Sequence, residues 1–149
     1  MKAKLSNYLV TVKKDLKHIV ETLSKDFKYV SILGTDTIGT TYRVSQRGSD
    51  VGDSNWCERG FVVRVFNDVN YSEYSFNQLD NIDDVIAQVK NIAVSDFNIF
   101  KTDNPVMDFP LIVEEEITDN FSSEFEIDPF VYSAEEKLEK MNKLMALGI

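Results

Sequence analysis

With 149 residues the chain can bury a core of its own without disulfide staples, and its single cysteine, Cys57, excludes an internal disulfide or a cysteine-built zinc site. An apolar fraction of 43% and a charged fraction of 28% are those of a soluble globular protein. A net charge of −9 argues against a nucleic-acid surface, which needs clustered Lys and Arg.

The charge is unevenly spread. Residues 1–75 hold 11 Lys or Arg against 9 Asp or Glu, whereas the remainder holds 5 against 16. Residues 102–132 carry nine acids and no base, the pattern of a solvated connection or of a surface awaiting a partner.

In chain order, Leu5, Leu9, Val12, Leu16, Ile19, Val20 and Leu23 recur at three- and four-residue steps. They predict an amphipathic helix of about five turns. Lys13, Lys14, Asp15 and Lys17 interrupt every apolar run in it, so the expectation here is neither a signal-peptide core nor a membrane span, and a cytoplasmic protein. KYVSILG (residues 28–34) is β-branched and aromatic and meets a Gly-Thr-Asp turn signal. TIGTTYRV (residues 37–44) resumes strand character, and the two are expected to form a hairpin. Residues 45–59, dense in Gly, Ser, Asp and Asn, read as a long mobile loop carrying Arg47, Trp56 and Arg59.

A second hairpin is expected from residues 60–66 and 71–76. Phe61, Val63 and Val65 share one face of the first strand. Ser72, Tyr74 and Phe76 share one face of the return strand, with Tyr71, Glu73 and Ser75 opposite. A helix follows, capped by Asp80 or Asn81, with Asp83 and Asp84 at the positive end of its dipole and a stripe of Ile82, Val85, Ile86, Val89, Ile92 and Ala93. Beyond it the pattern dissolves into the acidic, proline-bearing stretch, where LIVEEEI reads as an edge strand. Ser133 and Glu136 then form a capping box that opens a last helix with Leu138, Met141, Leu144 and Met145 on one side.

The sum predicts an α+β two-layer sandwich: a mainly antiparallel sheet of about four strands, helices on one face, and a C-terminal helix. The expected organisation is an α+β domain over residues 1–101, an acidic connection over 102–132, and a helix over 133–149 leading toward a catalytic domain outside the chain.

Catalytic chemistry is thin. His18 is the only histidine, and with Asp15 and Glu21 it makes a surface cluster without an open metal position. Cys57 has no second histidine to activate it and reads as a buried or idle thiol. Glu114, Glu115 and Glu116 would not converge on an ion from a strand and read as solvated charge. The glycines of GTDTIG lack the lysine of a phosphate loop and the spacing of a dinucleotide fingerprint. Tyr29, Tyr42, Tyr71 and Tyr74 read as sheet packing rather than a base-stacking platform. No catalytic or metal-binding residue is assigned, and no cofactor is expected in this chain.

KYVSILG, GFVVRVF, YSEYSF and the acid-capped helix ending QVKNIA together resemble the amino-terminal domain of the TldD/PmbA family, labelled modulators of DNA gyrase and predicted zinc metallopeptidases. Gly60-Phe-Val-Val-Arg64-Val65 and Tyr74-Ser-Phe76 match the family's Gly-x-x-Val-Arg-Val-like strand and its aromatic strand. DPFVYSAEEKLEKMNKL (residues 128–144) resembles its Asp-Pro and Ser-x-Glu-Glu helix. TIGTTYRV is poorer in Glu, Arg and Gly than the family's strands, and the loop after it is long. In the family, zinc is held by a His-Glu-x-x-x-His helix and a further cysteine well downstream; nothing in this chain matches that motif.

The resemblance implies a non-catalytic domain of a peptidase subunit, in a homo- or hetero-dimer with a family member, that admits unfolded peptide to zinc in the parent protein if its motif is present. Tyr71, Glu73, Tyr74 and Phe76 are the expected peptide-docking edge. The other reading is a stand-alone acidic protein-interaction module. Neither involves nucleic acid or a membrane.

Overall fold

The computed structural model describes residues 6–103, 109–113, 115, 119 and 121–148. The elements in order are α1 (Asn7–Leu23), β1 (Val30–Thr37), β2 (Thr40–Ser45), β3 (Gly48–Asp53), β4 (Glu58–Phe66), β5 (Tyr71–Phe76), α2 (Ile82–Asp103) and α3 (Ala134–Ala146). They form the expected α+β architecture, with the strands divided between two sheets: one of order β1-β4-β5 and the hairpin β2-β3. No helix among the described residues is long and apolar enough to cross a membrane.

Two compact units emerge, one of Ser6–Asp36 and Arg59–Thr118, the other of Met1–Leu5, Thr37–Glu58 and Asp119–Ile149. This division joins pieces distant in sequence and differs from the consecutive segments 1–101, 102–132 and 133–149 expected from composition.

The first unit contains the core. Ser6 caps α1, its hydroxyl accepting from the Leu9 amide, and Asn81 Oδ1 accepts from the Asp84 amide at 3.4 Å at the start of α2. Of the two caps open for α2, the structure selects Asn81. The helices bury Ile19, Leu23, Val85, Ile86, Val89 and Ala93 against Val63 and Val65 of β4, with Val30, Ile32, Tyr74 and Phe76 packed around them. Both helices therefore lie on one face of the three-stranded sheet, as the apolar periodicity requires.

Residues that face each other across β4 and β5 are Phe61 and Phe76, Val63 and Tyr74, Val65 and Ser72 on the core side, with Arg64 and Glu73 on the other. Alternation in the sequence groups these residues by face within each strand, and the packing of the helices decides which face is the core.

Two expectations are corrected. Residues 28–34 do not pair with residues 37–44: β1 runs through Gly34 to Thr37 and pairs with β4. Gly34 marks a close approach instead of a turn, because a Cβ there would stand 3.0 Å from Phe61 Cδ1 and 3.4 Å from Leu9 Cδ2.

Likewise residues 45–59 are not one loop. β3 occupies their middle and pairs with β2 from Ser45 opposite Gly48 to Thr40 opposite Asp53. Gly48 takes a φ of +144°, and the Ser45 hydroxyl closes the turn by donating to its carbonyl at 3.1 Å and accepting from the Arg47 amide at 3.2 Å. Arg47 thus sits in a tight hairpin turn, Trp56 in the turn after β3, and Arg59 on β4. β3 reads as loop because GSDVGD has low strand propensity and every one of its residues is exposed.

The second unit packs α3 on this hairpin. Lys137 Nζ lies 3.3 Å from the Tyr42 hydroxyl and 5.0 Å from its ring centroid. The capping box of Ser133 and Glu136 is present in both directions. No described residue of this unit is buried.

Candidate functional site

The three-stranded sheet has two outer edges, β1 and β5. The Phe66 amide donates to the Tyr29 carbonyl at 3.0 Å, so Phe66 directs its backbone groups toward the β1 side. Val65, Val63 and Phe61 therefore turn theirs toward Ser72, Tyr74 and Phe76. By the same alternation Glu73 and Ser75 point N–H and C=O outward from the sheet, and no strand among the described residues pairs with them.

The four residues expected at a docking edge divide accordingly. Tyr74 and Phe76 face the core, their rings stacked at 5.8 Å, and Phe76 also stacks on Phe61 at 5.3 Å. Glu73 is exposed and pairs with Arg64 across the open face. Tyr71 joins an aromatic cluster with Phe66 and Tyr29 at centroid distances of 5.2 and 5.6 Å. Its hydroxyl donates to the Pro110 carbonyl at 3.0 Å and accepts from the Ile112 amide at 2.7 Å. Tyr71 and Glu73 thus border the open face, while Tyr74 and Phe76 anchor the strand beneath it.

A buried polar knot sets the β4–β5 turn. Asn67 Oδ1 accepts from the Val69 amide at 3.1 Å and the Asn70 amide at 2.8 Å, standing in for a main-chain acceptor. Asn67 Nδ2 donates to Asn70 Oδ1 at 2.6 Å and Ser72 Oγ at 3.1 Å, with the Ala93 carbonyl at 3.4 Å. Asp68 takes a φ of +73°, a conformation Asp tolerates better than most residues.

At the N-terminal end of α1, Ser6 also hydrogen-bonds the Asp36 carboxylate, and Arg59 Nε donates to Asp36 Oδ1 at 2.9 Å. The Arg59 guanidinium lies 3.9 Å over the Tyr8 ring. The Ser6 hydroxyl first, then Arg59, holds the Asp36 carboxyl below its usual range although only 4% of the side chain is exposed. A lowered carboxylate contributes stability that is present above its unfolded value of about 3.9 and lost as pH falls through the lowered one. Asp36→Asn is therefore expected to lower the urea midpoint at pH 7, with the gap to the native protein closing below about pH 4. A gap unchanged down to pH 2 would contradict this origin.

His18 is exposed on α1. Cys57 is also exposed, which removes the buried alternative of the two expected for it, and its Sγ lies 3.0 Å from the Gly39 amide and 3.1 Å from the Gly39 carbonyl. Glu115 is exposed, whereas Glu114 and Glu116 lie outside the described residues, as does part of the LIVEEEI segment; its described residues form no strand. Among the described residues no three His, Cys, Asp or Glu side chains are grouped to hold a metal ion. What sequence reasoning missed is the Tyr71 tie to residues 110 and 112, for which the sequence carries no local signal. Comparison with family models, curated proteins and solved structures finds no match.

Proposed function

We propose that this chain is the non-catalytic amino-terminal domain of a TldD/PmbA-like zinc metallopeptidase subunit in the cytoplasm. It serves dimerisation with a family member and admits unfolded peptide to a metal site outside the chain. The observation that carries the reading is the three-stranded sheet with helices on one face and, among the described residues, no strand paired to either outer edge. Such an edge binds extended polypeptide through main-chain hydrogen bonds and tolerates many sequences. The pairing of GFVVRVF with YSEYSF, followed by α2 with Asp83 and Asp84 in its first turn, is also the order of elements on which the resemblance rests.

A second reading, a stand-alone acidic interaction module, draws on the apolar side chains of the acidic stretch. Phe121 is 94% and Phe130 80% exposed among carboxylates, a surface suited to a basic protein partner.

The intact mass of the native gene product, recovered from its source cells, separates the two. A mass several times 17.1 kDa, with bound zinc or a zinc-bearing partner and peptidase activity on unfolded protein, is the expected result. A product of 17.1 kDa overturns the subunit reading and leaves the interaction module.

A further inference from the structure

Among the described residues the β1 edge is unpaired as well, and more is arranged beside it. Because Tyr29 turns its carbonyl toward Phe66, Val30 and Ile32 direct their N–H and C=O away from the sheet. No strand among the described residues takes them up.

Nearby, the chain already holds a piece of its own backbone by its main-chain groups. Tyr71 engages the carbonyl of Pro110 and the amide of Ile112, two residues apart. A residue of a neighbouring strand engages such a pair in a parallel ladder. One phenol oxygen thus replaces a strand partner, and it acts on main chain alone. Between residues 111–113 and the start of β1 lies an open cleft of about 510 Å³, lined by Lys28, Tyr29, Val30, Leu111 and Ile112 among others. That volume falls within the ligand-sized range of roughly 300–1,000 Å³.

Further along β1, Leu33 is 64% exposed. Val30 and Ile32 pack toward the core, so Leu33 stands on the opposite, open face.

We propose that the slot between β1 and residues 111–113 receives an extended peptide, which adds to β1 through the outward groups of Val30 and Ile32 and lays an apolar side chain over Leu33. The ligand is an extended segment with apolar side chains at alternate positions, read by its backbone and independent of its detailed sequence. Residues 110–112 on Tyr71 are held by the same chemistry within the molecule. The inference rests on the reading of the domain as a receiver of unfolded peptide and moves the docking strand from β5 to β1.

The test uses the full chain and an eight-residue peptide of alternating valine and threonine with a lysine at each end. Its control is the same peptide methylated on its four central backbone nitrogens. Saturating peptide is expected to slow amide exchange at Val30 and Ile32 by about tenfold or more. The methylated control leaves both unchanged at millimolar concentration. Leu33→Ser, a change at an exposed position that leaves the core intact, is expected to weaken binding by about tenfold. Protection of Glu73 and Ser75 in place of Val30 and Ile32 overturns the slot while favouring the peptide-receiving reading through β5. Protection at Val30 and Ile32 that rises with protein concentration and needs no peptide assigns the edge to a second copy, which also overturns it. Absence of any protection overturns the slot, and the intact mass with the zinc and peptidase assays still decides the subunit reading separately.

Discussion

Phe61→Ala is expected to lower the unfolding free energy by about 3–5 kcal/mol. The ring is 2% exposed and lies between Phe76, at 5.3 Å, and Tyr8, at 6.1 Å. Its edge also fills the space that Gly34 leaves open on β1. Removing it withdraws a large apolar surface from a site whose neighbours are held by separate elements: Tyr8 by α1, Gly34 by β1 and Phe76 by β5. Such a site collapses poorly, which places the cost toward the upper end. Against a typical domain stability of about 5–15 kcal/mol, the variant is expected to be partly unfolded at 37 °C. Urea unfolding followed by circular dichroism reads this directly. A loss under about 1 kcal/mol would mean that Phe61 is not a packing centre of the core.

Asn67→Ala should cost about 3 kcal/mol, a large effect for a residue beside a turn. Asn67 is 7% exposed, and its carbonyl oxygen is the acceptor for two successive amides. Alanine leaves the Asn70 amide without that acceptor in a site where water has little access, and it removes a donor from Asn70 Oδ1 and Ser72 Oγ. Each orphaned buried group is worth about 1–3 kcal/mol, and the turn also loses the bonds that hold Asp68 at positive φ. Ser72→Ala removes one member of the same network, so the double variant should be less destabilised than the sum of the single ones. Additive losses would show that the two side chains act independently.

These residues also show what was legible beforehand. The grouping of Phe61, Val63 and Val65 on one face of β4, and of Tyr74 and Phe76 on one face of β5, followed from alternation in two short strands; the register sets the two groups opposite each other, and packing alone places them on the core. The helices were marked by three-and-four spacing and by local caps: Ser133 with Glu136, and Asn81 before Asp83 and Asp84. All of these signals act within a few residues of their cause, so the sequence displays them.

Strand partnership was another matter. KYVSILG and TIGTTYRV are adjacent, and adjacency favours a hairpin. The competing pairing of β1 with β4 places Gly34 under Phe61 and Val30 and Ile32 on the core, while the polar strand that follows turns back on β3 through Gly48. The choice depends on which side chains fill the space beneath the sheet, a property of residues far apart in the chain. Asn67 lies among the polar residues between β4 and β5, yet in the fold it is buried and holds the turn together.

The sequence by itself determined the α+β class, the acidic surface, the helices and which residues of β4 and of β5 share a face, because periodicity and caps are local consequences of backbone geometry. Only the tertiary structure decided the order β1-β4-β5, the hairpin hidden in a glycine- and serine-rich stretch, and the tie of Tyr71 to residues 110 and 112. Each of those depends on long-range hydrogen bonds or packing between segments whose meeting no short window of residues encodes.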